Sequence, residues 1–406
     1  MAPCKRRRGN TCAAAAAAET PIAWTLPAEL MLEIVARSDP GTLVRFAATC
    51  KLLRRDIVCP SFLRRDDVGR QAAPCILAYL RTYSGNPATL VHPSTAVAAS
   101  FFRDHLWRVM ARKKAVSLLE EYRPVASRRG LVLLLRRNLR NRPKSKRCSD
   151  VCVYDPMTGA RTFLSRPPDI KRNTERYHEH EYVLLTAADG IGCSFMLLAA
   201  DFYGRRITVQ TASPCGTWGP LTYVEDEDRW WTFVTQYRDP AVLRGGVIHW
   251  LASQQQILSY NLGTGKTSSV KLPPTARKVK ELLLATSSDG EVLKLIGIKG
   301  FVISVWLQLP VSAGSAGWAP EAVIDMEEKF RLMDPTFPPG GPDLPIVFQG
   351  FGKRTGDVVL LRMPRFSFYE LIILDLKTKD MHMQKCDGQF LEIDLASRLQ
   401  NTKIFS

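Results

Sequence analysis

The rhythm of apolar positions changes along the chain. Between Trp24 and Phe62 they recur at helical spacing. Leu30, Met31, Ile34 and Val35 form one such set, and Pro27 suits a first helical turn, where a missing N–H costs nothing. Ser38-Asp39-Pro40 breaks that helix and opens the next, a capping residue followed by proline. Leu43, Val44, Phe46 and Ala47 carry the second helix. The stretch TCKLLRRDIVCPSF predicts a third, with Leu53 and Ile57 on one face and Pro60 as its stop. A unit of about forty residues cannot bury enough area to be stable on a large core. Yet this one has more large apolar side chains than three short helices can hide. Some of that surface must meet another body, either the rest of the chain or a second protein.

From about residue 75 the rhythm shortens to β-rich runs separated by Gly, Pro and Asp. Three segments share one frame: VCVYDPMTGART at 151–162, ILSYNLGTGKTS at 257–268 and LIILDLKTKDMH at 371–382. Each reads as an apolar strand, a turn opened by Asp155, Asn261 or Asp375, and a polar exit strand, which is a hairpin signature. A second frame interleaves. LLTAADG at 184–190 matches LLATSSDG at 283–290, and each leads on to a tryptophan, Trp218 and Trp318. A third, GLVLLLRR at 130, GVIHWLA at 246 and GDVVLLR at 356, precedes the hairpins. Frames alternating at half of a longer period predict radial repetition, a β-propeller of five to seven blades, in preference to two β-sandwich units. The expected fold is therefore mainly β with a small N-terminal α module. Its parts are a tail at 1–20, a helical module at 21–65, a connector at 66–120 and the propeller at 121–406. The connector mixes both periods, in ILAYL and ASFFRDHLWRVM, so a strand from it can complete the propeller.

Charge adds an asymmetry. Residues 1–182 hold 33 Lys/Arg against 16 Asp/Glu, and residues 183–406 hold 23 of each. The whole formal excess of +17 lies in the first half, which suits an acidic partner or a basic tail read by an importer. Lys5, Arg6, Arg7 and Arg8 form a candidate nuclear import signal ahead of an alanine run, so the expected location is nucleus or cytoplasm. The densest basic run, RRNLRNRPKSKR from Arg136 to Arg147, has no interleaved aromatics to stack bases. It reads as a solvated loop or as a contact for an acidic partner sooner than as a nucleic-acid site. No uninterrupted apolar run is long enough to predict a membrane span, and no secretory signal is visible. The ten cysteines are irregularly spaced and read as reduced thiols.

Chemistry-bearing motifs are missing. Gly265-Lys266-Thr267 ends like a phosphate-binding loop, but Tyr260 stands where that motif needs glycine, and the tripeptide sits in a hairpin frame. Cys148, Cys152, His178 and His180 fit no standard zinc spacing. His249 alternates with apolar residues and reads as a strand residue, not a base. Trp230-Trp231 after the acidic EDEDR stretch is either blade packing or an edge for a cationic peptide. No cofactor and no metal is expected, and a propeller enzyme would need convergent acid/base residues that the sequence does not offer.

The ordered set Leu26-Pro27, Leu30 with Ile34, Leu43-Val44-Arg45-Phe46, Cys50-Lys51, Arg54-Arg55 and Pro60-Ser61-Phe62 resembles an F-box. Leu52 departs from it, because many members carry Trp there. The frames ASRRGLVLLL…VCVYDPMTG…LSRPP and GGVIHWL…ILSYNLGTG…VKLPP resemble the F-box-associated propeller-like domains of plant F-box proteins. The resemblance implies a non-catalytic subunit of a ubiquitin ligase. The F-box would dock the Skp adaptor, which links to cullin and a RING subunit, and the propeller would present an unidentified protein substrate. It further implies that Leu26, Pro27, Leu30, Ile34, Leu43, Phe46, Cys50, Leu52, Ile57 and Phe62 either contact the adaptor or hold the three helices together. The alternative is a nucleic-acid-binding protein that uses the basic first half.

Overall fold

The computed structural model describes residues 26–38, 46–47, 51–57, 59, 62, 75–80, 118, 121–136, 149–155, 160–170, 181–203, 206–225, 240–252, 256–279, 281–287, 290–309, 317–333, 346–351, 358–362, 370–385 and 389–393. The fold is mainly β and propeller-like. Five antiparallel four-stranded sheets follow one another along the chain, and within each the strands lie side by side in sequence order. The first sheet holds β2 (Tyr122–Arg128), β3 (Leu131–Arg136), β4 (Val151–Tyr154) and β5 (Arg161–Leu164). The second holds β6 (Glu181–Thr186), β7 (Phe195–Tyr203), β8 (Arg206–Ala212) and β9 (Thr222–Glu225). The third holds β10 (Ala241–Leu243), β11 (Val247–Leu251), β12 (Gln256–Asn261) and β13 (Lys266–Lys271). The fourth holds β14 (Glu281–Thr286), β15 (Leu293–Lys299), β16 (Val302–Gln308) and β17 (Trp318–Asp325). The fifth holds β18 (Val347–Phe351), β19 (Val358–Arg362), β20 (Glu370–Asp375) and β21 (Met381–Lys385). A two-stranded antiparallel sheet pairs β1 (Cys75–Leu80) with β22 (Gln389–Ile393), from opposite ends of the chain.

The sheets pack face to face in chain order, so the second, third and fourth are covered on both faces, and the middle strands read as continuous apolar runs rather than alternating ones. Leu133 and Val153 of the first sheet pack with Leu184 and Leu197 of the second. Leu185 and Leu198 of the second meet Ile248, Trp250 and Leu258 of the third. Leu251 and Ile257 continue to Leu284 and Leu295. Ile296 and Ile303 continue to Leu361 and Ile372. The first strand of each sheet touches the first strand of another: β2 touches β6, β10 touches β14, and β14 touches β18. Strand β22 lies against both β18 and β2. Two separate sandwiches would not produce this sequential packing.

The repeat frames fall on equivalent strands. The hairpin frame is the third strand and its turn in the first, third and fifth sheets. Asp155 N–H donates to the Ala160 carbonyl at 2.9 Å, and Asp375 N–H to that of Asp380 at 2.9 Å. Asn261 Oδ1 accepts from the Thr264 backbone at 3.0 Å, and Asp375 Oδ1 from Lys377 and Thr378 at 2.8 and 3.0 Å. These are the side-chain-to-backbone bonds for which Asp and Asn are favoured in turns. The second frame is the first strand and its turn in the second and fourth sheets, and its tryptophans do equivalent work. Trp218 Nε1 donates to the Ser165 carbonyl at 3.0 Å, and Trp318 Nε1 to the Lys271 carbonyl at 2.8 Å. Each indole thereby ties its own sheet to the residue that ends or follows the outer strand of the preceding one.

At the N-terminal end, α1 (Ala28–Ala36) and α2 (Lys51–Ile57) are the described helices, with Phe46, Ala47 and Phe62 also helical. Pro27 sits just before α1, and its carbonyl accepts the Met31 N–H at 3.1 Å. A third helix, α3 (Glu327–Met333), follows β17 and buries Phe330.

Candidate functional site

The helices around α1 and α2 have a small core of their own. Val35, Ala36, Ala47, Leu53, Ile57 and Phe62 are buried together, with Leu32 and Phe46 half-buried against them. That core leaves much apolar surface uncovered. Leu26 is 51% exposed, Leu30 52%, Ile34 50%, Met31 38% and Leu52 66%. In α1 Leu30 and Ile34 lie four residues apart on one stripe, turned away from Ala36, and Met31 flanks that stripe on the side of Val35. The helix therefore carries two apolar faces, and only one of them is used internally. Around the exposed face, the Arg37–Glu33 pair at 2.8 Å and the Ser38 Oγ–Ile34 carbonyl bond at 2.8 Å hold the C-terminal turn.

The residues singled out in the sequence thus divide. Leu26, Leu30, Ile34 and Leu52 are outward-facing, with Pro27 also exposed. Ile57 and Phe62 are core, and Phe46 is half-buried. Leu43 and Cys50 lie outside the described residues, as do Lys5, Arg6, Arg7, Arg8, Trp230, Trp231 and the basic run beyond Arg136. Met31, not among the adaptor contacts expected from the sequence, is also exposed, beside the stripe of Leu30 and Ile34.

A second cluster lies where first strands turn into second strands. The Asp189 carboxylate is fully buried in the short helical turn after β6. Arg128, at the end of β2, grips it with Nη2 to Oδ1 at 2.6 Å and Nε to Oδ2 at 3.0 Å. Arg129 Nη2 approaches Oδ1 at 3.3 Å, and the Thr186 N–H and hydroxyl donate to Oδ2 at 2.8 and 3.1 Å. Arg128 Nη2 also reaches the Val242 carbonyl of the third sheet at 3.3 Å. Burial pushes the Asp189 carboxyl up, but the two guanidinium groups and these hydrogen bonds outweigh it and hold the group below the usual carboxylate range. The neighbouring Gly245 N–H donates to the Asp189 carbonyl at 3.1 Å, and Arg244 N–H to that of Gly290 at 2.8 Å. The cluster locks three sheets together. Every acceptor position of the carboxylate is engaged by the protein itself, so it is a structural clamp and not an acid or base.

The other candidates resolve similarly. His249 is buried in β11, its Nδ1 at 2.7 Å from the Ser259 hydroxyl, and its Nε2 has no hydrogen-bonding partner among the described residues. Burial lowers its pKa to about 4, so it is neutral. Gly265, at φ +65°, belongs to the tight turn between β12 and β13, a hairpin and not a strand-to-helix phosphate loop. Cys152 is buried in β4, and burial raises its thiol to about 12, which disfavours the thiolate a metal needs. Cys148, His178 and His180 lie outside the described residues. The exposed Cys215 is lowered to about 7 by hydrogen bonds from the Ser213 and Thr217 side chains.

No curated protein matches the sequence. Among solved structures, the chain is similar to apo AztD from Citrobacter koseri, with 8% identity, a TM-score of 0.26, and 67% of this chain and 62% of that one covered. A lignostilbene dioxygenase from Pseudomonas brassicacearum gives 10% identity, a TM-score of 0.30, and coverages of 67% and 61%. The β-propeller domain of Cps50 (Swd1) from Myceliophteria thermophila gives 11%, 0.30, 66% and 86%. The chain spans about three-fifths of the length of the first two structures. Likenesses this faint enter no functional argument. The sequence itself matches a family model over residues 95–405, well over half its length, and the chain belongs to the family described as a domain of unknown function (DUF7595).

Proposed function

We propose that the chain is the substrate-recognition subunit of a Skp–cullin–F-box type ubiquitin ligase, with no catalytic role of its own. The observation that carries this is the exposed apolar face of the helical unit. Leu26, Leu30, Met31, Ile34 and Leu52 stay open although the unit already has a filled core. Fully burying each such side chain is worth roughly 1.5–3 kcal/mol. A face of this kind, on a segment ordered like an F-box, suits a docking site for the helical Skp adaptor. Cullin and a RING subunit would follow through that adaptor. The β-domain would be a six-bladed propeller, its five four-stranded sheets joined by a sixth blade built on β1 and β22. The contacts of β22 with both β18 and β2 support that count.

The mechanism is proximity. A subunit that holds the substrate on one module and the ligase on the other raises the effective concentration of substrate lysines near the ubiquitin thioester. No acid, base or nucleophile is needed from this chain. The clamp at Asp189 and the neutral, buried His249 are consistent with a scaffold. The direct test is size-exclusion chromatography of the purified chain with a purified Skp adaptor. A stoichiometric complex supports the proposal, and separate elution at micromolar concentrations refutes it. The import signal at Lys5–Arg8 would place the complex in the nucleus as well as the cytoplasm.

A further inference from the structure

We propose that β1 is a strap that closes the ring and ties the helical unit to its seam. The pairing joins distant parts of the chain. Cys75 faces Ile393, Ile76 faces Glu392, Ala78 faces Leu391, Tyr79 faces Phe390 and Leu80 faces Gln389. Strand β22 also lies against β2 and β18, the first strands of the first and fifth sheets. Without β1 the main-chain groups of β22 that now bond it would face no strand among the described residues, and such an edge is a template for pairing with another chain. The family match begins at residue 95, so the strap lies outside the segment that defines the family. A fragment cut at that boundary lacks the strand that closes it.

The strap also bears on how the two modules relate. Only residues 63–74 separate Phe62, the last described residue of the helical unit, from Cys75. Even fully extended, that link spans at most about 45 Å. The helical unit is therefore leashed to the strand that pairs with β22. The inference holds whether or not that unit docks an adaptor, because it rests only on the strand pairing.

Site-directed cross-linking in the full chain tests it. Residues opposite one another in an antiparallel pair have Cβ atoms roughly 4.5–5.5 Å apart, within a small adjustment of disulfide geometry. An Ile393→Cys variant should form, on mild oxidation, a reducible intrachain link that shifts mobility on a non-reducing gel. The link should vanish when Cys75→Ser is added. No Cys75-dependent link overturns the proposal. A link found only in dimers also overturns it, since the closing strand would then come from a second copy. In parallel, Tyr79→Pro removes a main-chain donor from the strap. Amide exchange at residues 389–393 should accelerate at least tenfold, either alone or together with the remaining sheets. Unchanged exchange at 389–393 in this variant contradicts the strap.

Discussion

Replacing Leu30 and Ile34 together by aspartate is the sharpest perturbation of the proposed docking face. Leu30 is 52% and Ile34 50% exposed, so about half of each side chain remains available for a partner. At roughly 1.5–3 kcal/mol for complete burial, the lost apolar contact is about 1 kcal/mol each. Two carboxylates placed in a closed apolar interface add a desolvation cost of at least about 1–3 kcal/mol in total. The sum, on the order of 4 kcal/mol, is about a thousandfold in affinity. The helical unit itself should survive. Neither side chain belongs to the core of Val35, Ala36, Ala47, Leu53, Ile57 and Phe62, and Asp in place of Leu costs a helix only about half a kcal/mol. Titration calorimetry of the full chain against a purified Skp adaptor reads the affinity, and helical circular dichroism verifies folding. Ile57→Asp is the contrasting variant. Ile57 is completely buried, so this change should unfold the unit and lose binding for a different reason. A folded Leu30→Asp/Ile34→Asp chain that binds the adaptor within threefold of the parent refutes the reasoning.

Asp189→Ala should cost about 3–5 kcal/mol of stability in a denaturant melt, because it leaves the buried Arg128 and nearby Arg129 facing each other without their shared anion; a loss under 1 kcal/mol would show that the clamp is not what joins the sheets. His249 is neutral in the fold with a pKa lowered to about 4 against 6.5 in model peptides, so the unfolded chain binds the extra proton first, and stability should fall as pH drops from 6.5 towards 4, by on the order of 3 kcal/mol. That window lies above the one for Asp189, whose lowered carboxyl loses its contribution only as pH falls below the ordinary carboxylate range; a His249→Gln chain with the same slope between pH 6.5 and 4 would contradict the assignment. At neutral pH a thiol-alkylating reagent should label Cys215 in the native protein and leave Cys152 until denaturant is added, and peptide mapping that finds equal rates would refute the two environments.

Much of the β-domain was legible because its repeats carry turn chemistry. Asp155, Asn261 and Asp375 mark the same turn in alternate sheets, and Trp218 and Trp318 mark the same inter-sheet bond in the others. The first strand of the first sheet was not. YRPVASR contains a proline and two arginines, and the structure accommodates it with a register shift between Pro124 and Ala126 and by giving Arg128 a buried carboxylate. A pair whose members lie 61 residues apart leaves no local spacing to read. The strap was hinted at only by the mixed periods of the connector, since its partner strand is at the far end of the chain. In the helical unit, spacing alone grouped Leu30, Met31, Ile34 and Val35 on one helix. It took the packing to show that Val35 is buried and that the other three stay exposed.

The central claim is that this chain links a ubiquitin ligase to a substrate through its N-terminal helical face. Affinity purification of the tagged full-length chain from native extract, with mass spectrometry and with the Leu30→Asp/Ile34→Asp chain as its matched control, tests it most directly. The account predicts that the Skp adaptor and cullin co-purify with the parent and disappear from the double variant, while candidate substrates held by the β-domain remain with both. Recovery of neither adaptor nor cullin with the parent, or of nucleic acid in their place, would contradict it.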